Sequence, residues 1–371
     1  MADQEGRGIR CTPTRWRLIA SGVLLAACPL LVLLFERFGE ALSGGYRPFS
    51  KGLLSLQATV ASVAPFALWD FLVVGFALAA LFTLVRRVVR RRPLLPWLSV
   101  VLLVSSATLF LFVSGWALNH YALSLANEIG LEVGAYTDDE LAAATRHYLE
   151  RAAALAPSVP RGEDGELLRQ DFYELARIAG GSYRELSESY GIFEGSQAPV
   201  KALLLLGEPL LLSGHVGIFF SPTGESSVPV NCAVADLPFT MCHEAAHRLA
   251  IAREQEANFA AFLACTTSDD VRFSYSGYYS AFSFCYGALR RSDPDRAARL
   301  LDEVRTSGLD AGVGLVLADL VATGRHYDAY EGWFGRVGSA VNDGYLRSFG
   351  EREGVKSYGL VVDYLIAWDR R

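Results

Sequence analysis

Three long apolar runs crowd the first third of this 371-residue chain, and they restrict its fold more than any other feature. Leu18 to Phe35 carries no charge, Phe66 to Val85 carries only Asp70, and Leu94 to Leu118 holds Trp97 and Trp116 near its two ends. Each is long enough to cross roughly 30 Å of hydrocarbon as a helix rising about 1.5 Å per residue. Indole rings sit best at the lipid–water boundary, which suits the two tryptophans. One such run could be a buried core helix. Three in succession, joined by short or charged connectors, predict transmembrane helices over about 18–35, 66–85 and 94–118.

The arginines orient them. Arg7, Arg10, Arg15 and Arg17 precede the first run, and Arg86, Arg87, Arg90, Arg91 and Arg92 link the second to the third. Cationic loops stay on the cytoplasmic side. The connector from Glu36 to Pro65 has only three basic residues, offset by Glu36 and Glu40, and is expected outside. No small-residue cleavage site stands before Glu36, so the first run reads as an anchor rather than a removed leader. The expectation is a multi-pass plasma-membrane protein with a cytoplasmic N-terminus. Residues 1–118 form its membrane domain, and residues 119–371 an extracytoplasmic one.

Composition narrows the second part. Up to Leu118 there are twelve Lys and Arg against five Asp and Glu; beyond it the counts are twenty-two against thirty-five. An acidic body and a net charge of −6 argue against a nucleic-acid partner, which selects a basic surplus. Six cysteines are too few for a disulfide scaffold. Cys242 and Cys265 could pair with each other, or with Cys232 or Cys285, or all could be buried thiols. Residues 119–371 suffice for one compact domain, and their texture is helical. Thr137-Asp138-Asp139-Glu140 is a capping box that opens a helix running to about Leu155. Helices follow over Leu167 to Ala179 and Tyr183 to Tyr190. Between Ala202 and Val234, Gly, Pro and Ser interrupt β-branched and aromatic residues, which predicts a small hairpin or sheet. From Pro238 helices resume to Trp368. The expected fold class is mainly α: three transmembrane helices, then an α-rich domain with a small β hairpin or sheet.

The chemistry concentrates in Cys242-His243-Glu244-Ala245-Ala246-His247. Histidines four apart on a helix project from one face, about 6 Å apart, and can share one Zn2+ at roughly 2.1 Å each. Glu244 is turned about 100° from His243, placed to act on a water at a further zinc position rather than to ligate the ion. Zinc makes such a water acidic, and Glu244 takes its proton as the oxygen attacks a carbonyl. Cys242 points off the histidine face. Tyr275, Tyr278 or Tyr279 could stabilise an oxyanion, though tyrosines facing a core are commoner. Asp70, a carboxylate inside a span, is functional by default unless solvated at the outer end. An extended substrate could pair with an edge strand at Val216 to Phe220 or Ser227 to Val230. The histidine pair lies well past the last span in sequence, which disfavours cleavage within the membrane plane.

The third ligand rests on a resemblance. Glu254-Gln255-Glu256-Ala257-Asn258 is similar to the Glu-x-x-Ala-Asp element of membrane-associated gluzincin peptidases, which implies Glu254 as zinc ligand and Asn258 as its supporting partner. A continuous helix would put His247 and Glu254 about 10.5 Å apart along its axis, so the chain must bend within Arg248 to Arg253. That stretch has neither Gly nor Pro. Glu256 is the alternative ligand, with Glu225 or His215 as more distant ones.

More widely, the chain resembles the DUF3810 family of membrane proteins with zinc-peptidase features. The resemblance runs through Pro65–Asp70, Trp116–Tyr121, Pro238–Glu244, Ala252–Phe259 and Gly354–Asp363, where Tyr358 and Asp363 read as structural. In that family a glycine commonly follows the second histidine by three; here that position is Ala250. The resemblance implies a membrane-anchored zinc metallopeptidase that hydrolyses peptide bonds in a peptide or protein substrate. A non-catalytic envelope protein that binds a metal or a partner is the alternative, and a zinc hydrolase of another amide a second one.

Overall fold

The computed structural model describes residues 12–349 and 360–371. It begins with a helix much longer than the apolar run predicts. Helix α1, Pro13–Ala61, continues without a break through Glu36 to Ala61, where a loop was expected. At about 1.5 Å per residue its 49 residues make a rod of about 74 Å, more than twice a hydrocarbon core. The reason lies in its buried face, where Gly39, Ser43, Arg47, Ser50, Leu54 and Ala58 recur every three or four residues. Low hydropathy hides this stripe, because it is built of small residues that let other chain segments approach.

Helices α2, Leu68–Val89, and α3, Leu95–Gly115, complete the front bundle. Trp97 Nε1 donates to Ala80 O at 3.1 Å, closing the α2–α3 pair. α1 packs along α3 through Tyr46 to Ser114 O and Ser50 to Gly115 O at 3.1 and 2.6 Å. A fourth stretch, Pro294–Asp328, is also long and apolar enough to cross a membrane, so four such helices stand among the described residues where three were expected. The sequence hides it behind charges, and Asp319, the carboxylate in its apolar middle, is buried against Arg161, which reaches both carboxylate oxygens at 2.9 and 2.7 Å. The stretch is also bent at Gly308, whose φ is +95°.

The remaining chain is mainly helical. α4 is Leu125–Ile129 and α5 is Asp138–Leu155, capped by Thr137 and Glu140 as the capping box requires. α6, Phe172–Gly181, starts five residues later than expected and ends two beyond, and α7, Arg184–Ser189, lies one residue inside its expected bounds at each end. β1, Lys201–Leu203, α8, Gly207–Leu212, β2, Ile218–Phe220, and β3, Glu225–Pro229, follow. β3 is central, pairing parallel with β1 (Lys201 opposite Ser227) and antiparallel with β2 (Ile218 opposite Ser227). β2 therefore keeps an open edge, and Ser227 to Val230, in the central strand, does not. Then come α9, Leu237–Arg248, α10, Glu254–Thr266, α11, Val271–Ser292, α12, Pro294–Val304, α13, Asp310–Asp328, α14, Trp333–Ser348, and α15, Val361–Asp369.

Buried polar anchors join the front helices to the rest. Asp70 accepts from the amides of Leu204, Leu205 and Leu206 at 2.7–3.0 Å, so this carboxylate is a structural clamp, neither solvated nor free for chemistry. Glu225 accepts from the amides of Leu68 and Trp69 at 2.8 and 3.1 Å, satisfying two donors that α2 leaves open at its start. The backbone of Gly224 lies so close to α1 that a Cβ there would sit 2.6 Å from Leu54 O.

Candidate metal centre

Helix α9 carries the histidines, and every one of its residues is buried. Pro238 opens it where a missing amide hydrogen costs nothing. Its backbone is held from four sides. Ser276 Oγ accepts from Phe239 N, Tyr183 OH donates to Cys242 O, Ser226 Oγ donates to Glu244 O, and Trp116 Nε1 donates to His247 O, at 3.1, 2.9, 2.6 and 2.9 Å. The last of these ties the end of α3 to a residue 131 positions later. Remoteness along the chain is therefore not remoteness from the spans.

The bend that the spacing demands falls at Ala250, whose φ is +62°. The amide of Ile251 bonds to Ala246 O and that of Ala250 to His247 O, at 3.3 and 3.0 Å, the paired bonds of a Schellman turn. Glycine normally supplies the left-handed residue; here alanine does, which sequence signals for turns do not flag. Arg253 then fixes the start of α10 by donating to His120 O and Ala122 O at 3.1 and 3.0 Å. Glu254, the first residue of α10, faces back toward the histidines.

Three acceptors converge. His243 Nε2 and His247 Nε2 are 3.1 Å apart, and Glu254 Oε2 lies 3.2 and 3.7 Å from them. His247 Nδ1 sits 2.8 Å from Ile251 O, which only accepts, so Nδ1 carries a proton and Nε2 is the nitrogen turned to the cluster. Bonds of roughly 2.1 Å in a tetrahedron put ligand atoms roughly 3.4 Å apart, the middle of the observed range. This buried group could hold a metal ion. It attracts positive charge even without one. Burial pulls His247 down, but the charge and hydrogen bond of Glu254 outweigh it and push the imidazole up to about 9. Burial pulls Glu254 up, and the two imidazoles outweigh it, holding its carboxyl well below the usual range.

Glu244 stands beside this cluster. Burial pushes its carboxyl up to about 7, with the two imidazoles pulling the other way. Its Oε2 has no hydrogen-bond partner. Oε1 lies against Gly217, where an added Cβ would approach it to 2.3 Å. Gly217 is a site residue that sequence reading passed over. The available signal was a glycine inside the run Val216 to Phe220, which marks a close approach.

The other candidates do not join the cluster. Glu256 is engaged by Arg253 at 2.9 Å and Tyr364 at 3.3 Å, away from the imidazoles. Asn258 lines the same cavity, its Nδ2 without a hydrogen-bond partner, as is His243 Nδ1. His215 lines it too, its Nδ1 2.9 Å from Ser213 Oγ. Tyr275 bonds to Asp319, Tyr278 receives Arg151, and Tyr279 meets Thr323; none of the three reaches the cavity. The five described cysteines are buried thiols. Tyr358 lies outside the described residues.

The cavity holds about 940 Å³. Polar groups gather on its α9–α10 wall, while Phe112 and Trp116 of α3, Ile218 and Phe219 of β2, and Val341 of α14 make much of the rest apolar. No curated protein and no solved structure matches the chain. Residues 46–366 match the DUF3810 family, described as a protein of unknown function, a stretch that takes in α2, α3, the sheet and both metal-centre helices. The chain belongs to the DUF3810 family.

Proposed function

We propose that this chain is a membrane-anchored zinc metallopeptidase with a zincin-like catalytic domain outside the cytoplasm. The observation that carries the reading is the meeting of His243 Nε2, His247 Nε2 and Glu254 Oε2 within 3.7 Å of one another beside an unpartnered carboxylate. Two imidazoles and one carboxylate suit zinc, and three protein ligands leave a position open, as catalytic sites do. A bound zinc ion supplies Lewis acidity to a water and to the scissile carbonyl.

The chain's own groups do the rest. Glu244 takes a proton from the attacking water and returns it to the leaving amine. Burial brings its carboxyl near the working pH, which suits both transfers. The open edge of β2 along the cavity offers an extended peptide a row of backbone partners. The arginine cluster at Arg86 to Arg92 sits at the ends of α2 and α3 away from the metal centre, which supports a cytoplasmic placement for it and an outer one for the site.

The test uses full-length protein in detergent. Stoichiometric zinc should be lost in His243→Ala and Glu254→Ala and kept in Glu256→Ala. Glu244→Gln should keep zinc and lose at least about a hundredfold in peptide hydrolysis. If Glu244→Gln leaves the protein's role intact, the molecule binds metal or a partner without catalysis.

A further inference from the structure

Asp236 stands at the start of α9, where an aspartate side chain ordinarily accepts from the first free amides of the helix. Here it does not cap. Phe239 N donates to Ser276 Oγ at 3.1 Å instead, and Asp236, half-buried, lines the cavity. Its carboxyl takes a hydrogen bond from Tyr327 and meets no basic side chain among the described residues. Other interior carboxylates are matched: Asp70 and Glu225 by backbone amides, Asp319 and Glu256 by arginines. Burial without a counter-charge pushes Asp236 up to about 6, so its ionised form at neutral pH is held at a cost to the fold. A cation entering the cavity offsets that cost.

The register of α9 places the group. Asp236, Thr240, His243 and His247 recur every three or four residues, so they share the face turned to the cavity. Seven residues put Asp236 about 10.5 Å along the axis from His243. α11 is fixed beside it, since Ser276 Oγ also donates to Ala235 O at 2.6 Å. One and two turns further along α11, Ser280 and Ser283 line the same cavity. With Thr240 they add three hydroxyl oxygens able to accept, and a carboxylate among acceptors suits a donor that carries positive charge. An extended chain advances about 3.3–3.6 Å per residue. A lysine or arginine side chain near the scissile bond, or a chain end about three residues from it, therefore covers the span from His243 to Asp236.

We infer that Asp236, with Thr240 and the two α11 serines, forms a subsite for a positively charged group of the substrate, a lysine or arginine side chain or its N-terminal ammonium. The subsite rests on the cavity; that its occupant is then cleaved rests on the peptidase reading. The probes are acetylated peptides with one lysine moved through successive positions, the same peptides with norleucine in its place, and the norleucine peptide with a free N-terminus. Binding is read by calorimetry at about pH 7.5 on the full zinc-loaded chain in detergent carrying Glu244→Gln, and hydrolysis on the chain without that change. Lysine at one position, or the free N-terminus, should improve binding and kcat/KM at least about tenfold over the uncharged peptide. Which of the two does so names the cation. Asp236→Asn should cut both ratios to about threefold or less. Each ratio compares two peptides on one protein, so it does not depend on how much of a variant folds. Equal binding of charged and uncharged probes, or a preference that survives Asp236→Asn, overturns the subsite, and hydrolysis of any peptide then leaves the peptidase reading standing. A binding preference erased by Asp236→Asn, with no peptide hydrolysed, overturns the peptidase reading and leaves the subsite.

Discussion

A methyl group is enough to disturb Glu244, the proposed general base. Gly217 exists as glycine because the Glu244 carboxylate occupies the place of a Cβ. In Gly217→Ala the flexible carboxylate should swing away rather than the fold break. Hydrolysis should fall about tenfold or more while zinc content and melting temperature stay near wild type, read by metal analysis and thermal unfolding. Asp236, on the cavity wall, works differently. Burial pushes its carboxyl up to about 6, with a hydrogen bond from Tyr327 pulling back. The folded state then holds this proton more tightly than the unfolded state does. Its favourable contribution is complete below about pH 4 and is lost as pH rises through about 6. Asp236→Asn should stabilise the protein by up to about 3 kcal/mol at pH 7 and by little at pH 4, checked by unfolding at both values.

Between α9 and α10 the candidate metal centre depends on one alanine in a left-handed conformation. That conformation costs a non-glycine residue about 1–2 kcal/mol, partly offset because glycine loses more freedom on folding. Ala250→Gly should be neutral to stabilising by about 1 kcal/mol with zinc retained. Ala250→Val, β-branched at a positive φ, should lose both stability and metal, measured by unfolding and metal analysis. Here too lies the limit of reading elements from sequence. His243, Glu244 and His247 are legible because a four-residue spacing is a local geometric fact. The capping box at Thr137 is legible for the same reason. That Glu254 and not Glu256 turns toward the imidazoles depends on where a turn without glycine or proline falls, and only a resemblance pointed to it. Gly217 depends on contact between segments far apart in the chain, which no spacing reveals.

Across the whole molecule, hydropathy finds what lies in lipid and misses what lies on protein. The runs at 18–35, 66–85 and 94–118 were legible as helices apolar enough to cross a membrane, but the continuation of α1 to Ala61 was not. Its buried face is drawn in Gly, Ser and Ala, which carry little apolar signal. The Pro294–Asp328 stretch was hidden the other way, its apolar middle masked by flanking charge. Asp70 shows the same limit, since a carboxylate within an apolar run looks functional until the three amides it binds are seen.

The length of α1 has a practical corollary. Its second half runs beneath the sheet as a keel: Leu54 is wholly enclosed, Arg47 grips Glu128 and Leu123 O, and Gln57 holds Pro222 O. Trimming the chain to residues 119–371, the usual recipe for a water-soluble fragment, would remove this keel, the Trp116 brace on His247 and the backbone amides that occupy Glu225. Such a fragment should be recovered aggregated or metal-free, whereas the intact chain in detergent should be monodisperse and loaded.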